Sequence, residues 1–374
     1  MQHYLKMKFL NQLITCSAFL LVLLGCRVGE TSLAAIPAEA DTIPKLLRLN
    51  DTLTVCAVGD IMLGSAYPSI SNLPPKDGKN SFKHVIPFLK GDIVFGNLEG
   101  CFLDSGKSTK CKDTVGNSCF AFRMPERYAG IVEEAGFNLL SIANNHVGDF
   151  GLKGRKKTVA ILDSLNIKYA GLQSYPSTIF EKDSVKYAFC AFAPNENTVS
   201  INNLDSAKNL VEELKRQANI VIISFHGGAE GSKFEHVTRK KETFYQENRG
   251  NVYEFAHAVI DAGADIVLGH GPHVTRAVEV YKNKFIAYSL GNFCTYGMFN
   301  LKGVNGIAPL IQIKMTTSGD FVSAKVISVK QDKLRGLTID PNKLAFKKLK
   351  SLTDTDFPGH NLTFAEDRIT KRED

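Results

Sequence analysis

The chain has no tryptophan, and neither an internal repeat nor a low-complexity block interrupts its 374 residues. The missing repeats exclude a solenoid or propeller, which would show a fixed period of some tens of residues. The missing tryptophan excludes recognition motifs built on that side chain. Charge of one sign is also scarce: 45 Lys and Arg against 38 Asp and Glu leave a formal +7. The basic residues are scattered rather than striped, so acidic partners stay open but the footprint of a nucleic-acid-binding face is absent. Long apolar runs are equally rare, and after residue 26 no segment is long and apolar enough to span a bilayer. A hydrophobic content of 44% nonetheless supplies a substantial core and sets the chain apart from disordered proteins.

The one concentrated apolar stretch stands at the start. Lys6 and Lys8 precede LITCSAFLLVLLGC, whose length suits the apolar region of a signal peptide and falls short of a comfortable span. Its Leu-Leu-Gly-Cys ending resembles the lipobox of bacterial lipoproteins, in which Cys26 becomes the lipidated first residue. Ordinary cleavage nearby is the alternative. Either way residues 1–26 act as an export signal, and lipidation would anchor the chain to a membrane in the periplasm or at the cell surface. Residues 27–52, small, polar and Pro-interrupted, read as a tether.

Of the eight cysteines, Cys16 and Cys26 fall in that leader. Cys101, Cys111 and Cys119 crowd a loop, CFLDSGKSTKCKDTVGNSC. A disulfide among them suits an oxidising compartment and would pin the excursion. A zinc site is the other option, disfavoured because the loop carries no histidine. Cys56 and Cys190 lie in apolar runs as small buried hydrophobes.

From Leu53 onward, TVCAVGD, DIVFGNLE, NLLSIANNH, YAFCAFAPN, IVIISFHGG, DIVLGHGPH and FIAYSLGNF are short β-rich runs ending in Gly, Asn, Asp or His. Between them PERYAGIVEEAG, GLKGRKKTVAILDSLN, NLVEELKRQ and NVYEFAHAVIDAG carry apolar residues at helical spacing. The alternation predicts an α/β fold with strands buried on both faces. APLIQIKMTTSGDFVSAKVISVKQD then reads as a closing hairpin around Thr-Ser-Gly-Asp. Residues 53–335 make the domain, and the charged, Pro/Gly-punctuated residues 336–374 read as a peripheral tail.

In open α/β sheets, functional groups gather where strands end and loops begin. Five such exits carry metal-ligand chemistry. They hold Asp60 in AVGD; Asn97 and Glu99 in GNLEG; Asn145, His146 and Asp149 in ANNHVGD; His226 and Glu230 in SFHGGAEG; His270 and His273 in LGHGPHV. Asn292 in YSLGNF marks a sixth. Singly each has a dull explanation, Asp60 as a helix N-cap and Asn145 in a left-handed turn. Jointly, carboxylate, amide and imidazole at five exits fit a mixed N/O site for zinc, manganese or iron. His84, His236, His257 and His360 read as structural.

Taken in order, strand-GD, GNLEG, NNH followed by D and G, strand-HGG-x-E, GHGPH and SLGNF resemble the bacterial CapA family of poly-γ-glutamate capsule biosynthesis proteins, over roughly residues 53–330. Their domain is similar to the calcineurin-like metallophosphoesterases. The resemblance therefore implies a four-layer α/β/β/α sandwich and one or two divalent ions. It implies Glu99 as a carboxylate bridging two metals, with Asp60 and His273 completing one position and Asn145, His226 and His270 the other. His146 would face the substrate and stabilise charge or protonate the leaving oxygen, with Asp149 and Glu230 as further catalytic candidates. A metal pair ~4 Å apart would polarise the scissile group and supply hydroxide near neutral pH.

This sequence also departs from the pattern. Ile61 and Met62 follow Asp60 where the phosphoesterases have x-His, and Pro272 helps space the last two histidines by three. Gly227 and Gly271 stand where CapA-like proteins usually carry tryptophan and histidine. These departures suggest one tightly held ion or a weak second one. Glu230 then reads as an extra ligand or base, or as an N-cap or surface charge. Two functions follow. One is a metal-dependent hydrolase or transferase acting on a phosphoester, or on the amide linkage of an anionic polymer such as poly-γ-glutamate. The other is a non-catalytic polyanion-binding or tethering component among capsule synthesis and export proteins. A nucleic-acid enzyme finds no support.

Overall fold

In the computed structural model the protein is described over residues 52–111, 119–332 and 336–372. These fall in one unit, Arg48–Asp374. The expected leader with its Cys26, and residues 27–51 of the expected tether, lie outside the described residues.

Strands β1 (Thr52–Met62), β2 (Ile93–Leu98) and β3 (Leu139–Ser141) run parallel as neighbours in a first sheet. On its other side β1 pairs antiparallel with Ile307–Thr316, which pairs with Phe321–Asp332 as the expected hairpin. A second sheet has β4 (Ile220–His226) and β5 (Ile266–His270) parallel at its centre, flanked by Val185–Phe192 and Lys284–Ala287. A short strand, β6 (Asn292–Thr295), runs parallel beside the far end of β1.

Alternate residues of the central strands enter different cores, because successive side chains of a strand point to opposite faces. Val55 and Ala57 of β1 point between the sheets, where Phe95, Phe189, Ile222 and Leu268 join them. Cys56 and Val58 point outward onto α1 (Tyr128–Glu134) and α2 (Gly151–Ser164), meeting Ala129, Val132, Val159 and Leu162. From β4, Val221, Ile223 and Phe225 meet α3 (Leu204–Lys215) and α4 (Val252–Asp261) through Val211, Leu214, Phe255 and Val259. Both helices start on an asparagine cap, Asn203 accepting from Ser206 N and Asn251 from Glu254 N. Apolar runs with both faces covered are what parallel strands require, and the four expected layers, α/β/β/α, are present.

The residues from 336 onward are not a peripheral tail. Gly336–Ile339 and Arg368–Lys371 both pair with Phe321–Asp332, and Leu362–Ala365 extends the sheet edge. Helix α5 (Leu344–Asp356) places Leu349 in the core between the sheets and Leu352 in an outer one. The charge and Pro/Gly punctuation belong to turns and exposed edges, while a few buried residues such as Leu337, Leu362 and Ile369 do the packing. Strands of four residues are too short for their periodicity to be read singly.

Cys111 and Cys119 are joined by a disulfide, which settles the pairing in the loop and removes the three-cysteine zinc option. Cys101 is a buried thiol, as are Cys56, Cys190 and Cys294. Among the described residues no helix is long and apolar enough to cross a membrane.

Candidate functional site

The ends of β1, β2, β4 and β5 come together across the two sheets. His270 Nδ1 lies 3.3 Å from Asp60 Oδ1, and His226 Nδ1 lies 3.6 Å from Glu99 Oε2. His273 bridges further, its Nδ1 2.8 Å from Asp60 Oδ2 and its Nε2 4.0 Å from Glu99 Oε1. Register sets Asp60 opposite both Asn97 and Asn292, and His226 opposite His270. Close backbone approach makes this convergence feasible. A Cβ on Gly59 would collide with Gly291 O, the acceptor of the Asp60 N–H at 2.9 Å. Gly271, at φ +115°, would likewise drive a Cβ into the backbone of Gly227, whose N–H donates to His270 O at 2.8 Å.

Amides knit the carboxylates in place. Asn97 Nδ2 donates to Asp60 Oδ1 at 2.9 Å and also to Glu99 Oε2. Asn144 Nδ2 donates to Asn97 Oδ1 at 3.0 Å and to Leu98 O at 2.8 Å. Its Oδ1 accepts from the backbone N–H groups of His146 and Val147, at 3.1 and 3.0 Å. Asn144 thus ties the NNH turn to β2, a role that sequence reasoning passed over in favour of Asn145. The signal was the asparagine pair itself, since an asparagine that accepts from the backbone two residues on is a common turn device.

His146 is held from behind. Its Nδ1 is 2.7 Å from Asp149 Oδ2, its ring stacks on Phe122 at 3.9 Å, and Phe122 N–H donates to the same carboxylate oxygen at 2.7 Å. Lys110 Nζ lies 3.3 Å from Asp149 Oδ1. Asp149, the other catalytic candidate of this turn, is fully buried behind the imidazole and is not among the residues that line the cleft. Glu230 does line the cleft, with Oε1 3.1 Å from the guanidinium of buried Arg249.

Several polar atoms in this cluster lack partners. Glu99 Oε1, Asn145 Oδ1, His226 Nδ1, both ring nitrogens of His270 and Asn292 Oδ1 are buried without a hydrogen bond. Each unsatisfied buried group costs about 1–3 kcal/mol, so several of them among the strand ends call for a binding partner. Among the described residues no three His, Cys, Asp or Glu side chains already surround a common point as ion ligands. The charged donors pair with one another instead, as His273 does with Asp60.

The electrostatics are strained in the same place. Burial opposes the Asp60 charge, but the hydrogen bond from His273 and the nearness of His270, 3.3 Å away, outweigh it and hold the carboxyl well below its usual range. Burial, then the neighbouring Asp60 charge, pushes Glu99 up to about 8. His273 resists burial through its bond to Asp60 and rises to about 9. Burial and then the Arg249 charge drive His226 well below 6.5. Burial also lowers His146, opposed by Asp149 and assisted by Lys110. Neighbouring acids and bases pushed apart in this way mark functional sites more often than scaffolding.

The cluster opens into a cleft of about 420 Å³ that His146, Glu230, His273 and Asn292 line, with Phe120 and Phe299 among the aromatics at its wall. None of its described lining residues is a lysine or arginine.

Residues 54–296, well over half of the chain, match the family model described as "Bacterial capsule synthesis protein PGA_cap". The chain belongs to this family. The six ordered motifs had pointed to the same place. The capsule biosynthesis protein CapA of Bacillus anthracis is 32% identical to this PGA_cap protein over 266 residues, 66% of this chain and 60% of that one. The PGA biosynthesis protein CapA of Bacillus subtilis is 28% identical over 272 residues, 68% of this chain and 66% of that one. The PGA_cap chain therefore spans 60–66% of the length of these relatives. Among solved structures, a novel phosphatase from Mycoplasma pneumoniae covers 78% of this chain and 96% of its own, at 14% identity and a TM-score of 0.47. A likeness of that size establishes no shared activity.

Proposed function

We propose that this PGA_cap protein is an exported metal-dependent hydrolase acting on a phosphoester, or on the amide linkage of an anionic polymer such as poly-γ-glutamate. One observation carries the reading: buried nitrogen and oxygen atoms from both sheets, on Glu99, His226, His270 and Asn292, lack hydrogen-bond partners in the cluster that holds Asp60 and His273. Carboxylate, imidazole and amide donors together suit zinc, manganese or iron. Asp60, Glu99, His226, His270 and His273 would hold the ion, with the unpartnered amide oxygens of Asn145 and Asn292 as further candidates. Such an ion, when bound, polarises the scissile group and brings a water's pKa near neutral.

The chain's own groups supply the rest. Asp149 accepts the Nδ1–H of His146 and so turns Nε2 to the cleft, where the protonated ring gives its Nε2 proton to a leaving oxygen and is left neutral. The Phe122 ring stacked on His146 keeps water from that face. Glu230 is committed to Arg249, which makes it a neutralising partner rather than a free base. A pure binding site has little use for an imidazole braced at the cleft as His146 is, which favours the hydrolase over the tethering component. Export and a lipidated Cys26 remain part of the proposal, supported by the leader's pattern and by the Cys111–Cys119 disulfide.

The test is metal content and turnover of the purified full chain after incubation with manganese or zinc. The expected result is a bound ion and hydrolysis of a phosphodiester or of poly-γ-glutamate, with both lost in Glu99→Ala. No bound ion and no turnover in the wild type removes the reading.

A further inference from the structure

Aromatic side chains are concentrated in the cleft. Phe and Tyr supply five of its thirteen described lining residues, although aromatics make up 9% of the chain. They stand at two depths. Phe122 and Phe299 lie inside, with ring centroids 5.0 Å apart; Phe122 stacks on His146, and Phe299 stands edge-on to His273 at 5.3 Å. Phe120 and Tyr245 lie at the mouth, 44% and 91% exposed. Isolated exposed rings are ordinary on a surface, but these two border a cavity whose inner wall is also aromatic.

Tyr245 stands there against the local preference of the chain. Phe244 pairs with Glu247, so Tyr245 and Gln246 alone make the turn between strands Glu242–Phe244 and Glu247–Gly250. Their φ angles are +46° and +65°, both left-handed. A two-residue turn of this kind favours Asn-Gly or Asp-Gly, because a bulky side chain is strained at positive φ. Turn formation therefore does not call for a tyrosine, and neither does core packing, since the ring is almost wholly exposed. The hairpin beneath it is nonetheless firmly held. Glu242 pairs with buried Arg276 at 2.7 Å and accepts from Ala229 N–H at 2.8 Å, while Phe244 backs the Tyr245 ring at 4.5 Å. Strain of this sort persists where the surroundings enforce it, and it gathers at ligand-binding sites.

We infer that Phe120 and Tyr245 stack against a flat ring carried by the substrate next to its scissile bond, and so set the specificity of the cleft. Phe and Tyr take up such a ring in offset or edge-on geometry without needing a charge. A cleft of about 420 Å³ has room for the ring together with the reacting group. The inference rests on the hydrolase reading above and narrows its substrates to a ring-bearing phosphoester, because poly-γ-glutamate offers aliphatic chain and carboxylates but no ring.

The test compares phenylphosphonate with methylphosphonate, alike in charge and different in the ring. Their binding to the purified full chain, incubated with manganese, is measured by calorimetry. The wild type prefers the phenyl compound by about 5-fold or more. Phe120→Ala and Tyr245→Asn each lower that preference by about 2- to 10-fold, whereas Tyr245→Phe keeps it. Asparagine suits the turn better than tyrosine, so Tyr245→Asn folds at least as well as the wild type. In turnover, Tyr245→Asn raises KM for bis-p-nitrophenyl phosphate far more than it changes kcat. A folding defect would instead weaken both phosphonates alike. No phenyl preference in the wild type, or one that survives in either variant, overturns the inference and leaves the hydrolase reading standing. Dimerisation that Tyr245→Asn abolishes would give the aromatic mouth to a second copy of the chain and overturns it too. An inactive wild type without a bound ion removes the hydrolase reading, and this inference with it.

Discussion

His146 and His226 are both buried histidines at the mouth of the same α/β sandwich, and burial lowers the proton affinity of both. Their partners differ in sign. His146 has a carboxylate behind it, Asp149 at 2.7 Å, which takes the Nδ1 proton and leaves Nε2 free toward the cleft. His226 has a guanidinium against it, Arg249 at 3.2 Å from Nε2, while its Nδ1 faces Glu99 at 3.6 Å. The residue type is the same and so is the depth. What each ring can offer is decided by whether its neighbour accepts or donates, a choice made by a residue 3 positions away in one case and 23 in the other.

The largest effect that tests this contrast is on the chemistry. If His146 presents a free nitrogen to substrate, His146→Ala lowers kcat by about 100- to 10,000-fold, the usual worth of a positioned acid or base. Ion content stays unchanged, because the Nδ1 side faces Asp149 and not the donors of the ion. Turnover and elemental analysis on one preparation check both halves. A variant with undiminished turnover would leave His146 without a part in the chemistry.

A second test sets His226 against His273, the histidine that does take a proton. In the metal-free protein His273 rises to about 9 and Glu99 to about 8, whereas the unfolded chain gives up those protons near 6.5 and 4.5. Both folded-state values are raised, so the stability they contribute is fully present below the unfolded values and is lost as pH climbs through 8 and 9. His226 has the opposite sign: its folded value is depressed, so its contribution is present above 6.5 and lost as pH falls. Thermal melting in EDTA should therefore show stability falling from pH 6.5 to 9, by at most about 1.4 kcal/mol per pH unit for each proton held. Adding the ion should reverse the trend, because ligation requires deprotonated donors. A flat profile in EDTA would mean that Asp60, Glu99 and His273 are not packed as described.

Much of this was legible along the chain. Apolar runs ending in a Gly-flanked Asp, Glu or His mark parallel strands whose ends carry chemistry. Asp60, Glu99, His226, His270 and His273 do meet, although His273 and Asp60 are 213 positions apart. The residues that assign roles left no such trace. Arg249 sits in ENRG, a polar stretch with no apolar period, and becomes informative only once the HGG turn folds over it. Asn144 and Asn145 are chemically identical in sequence, and only the hydrogen bonds show the first bracing the turn while the second leaves its oxygen unpaired. Strand pairing across the domain likewise made core residues of Leu337 and Ile369, which the tail's composition concealed.

The smallest effect probes the charge that reaches His146 from outside its own turn. Lys110 Nζ lies 3.4 Å from His146 Nδ1, and its positive charge adds to burial in holding the imidazole below 6.5. As a proton donor His146 works only while protonated, so the activity that depends on it is lost as pH rises through that lowered value. Lys110→Met removes the opposing charge, lets the value rise, and moves this limb of the kcat profile to higher pH. Lys110 is 36% exposed, so the displacement is small and shrinks as salt screens it. A shift to lower pH would place Lys110 chiefly as the partner of Asp149. The carboxylate would then be the only group that sets how His146 holds its proton.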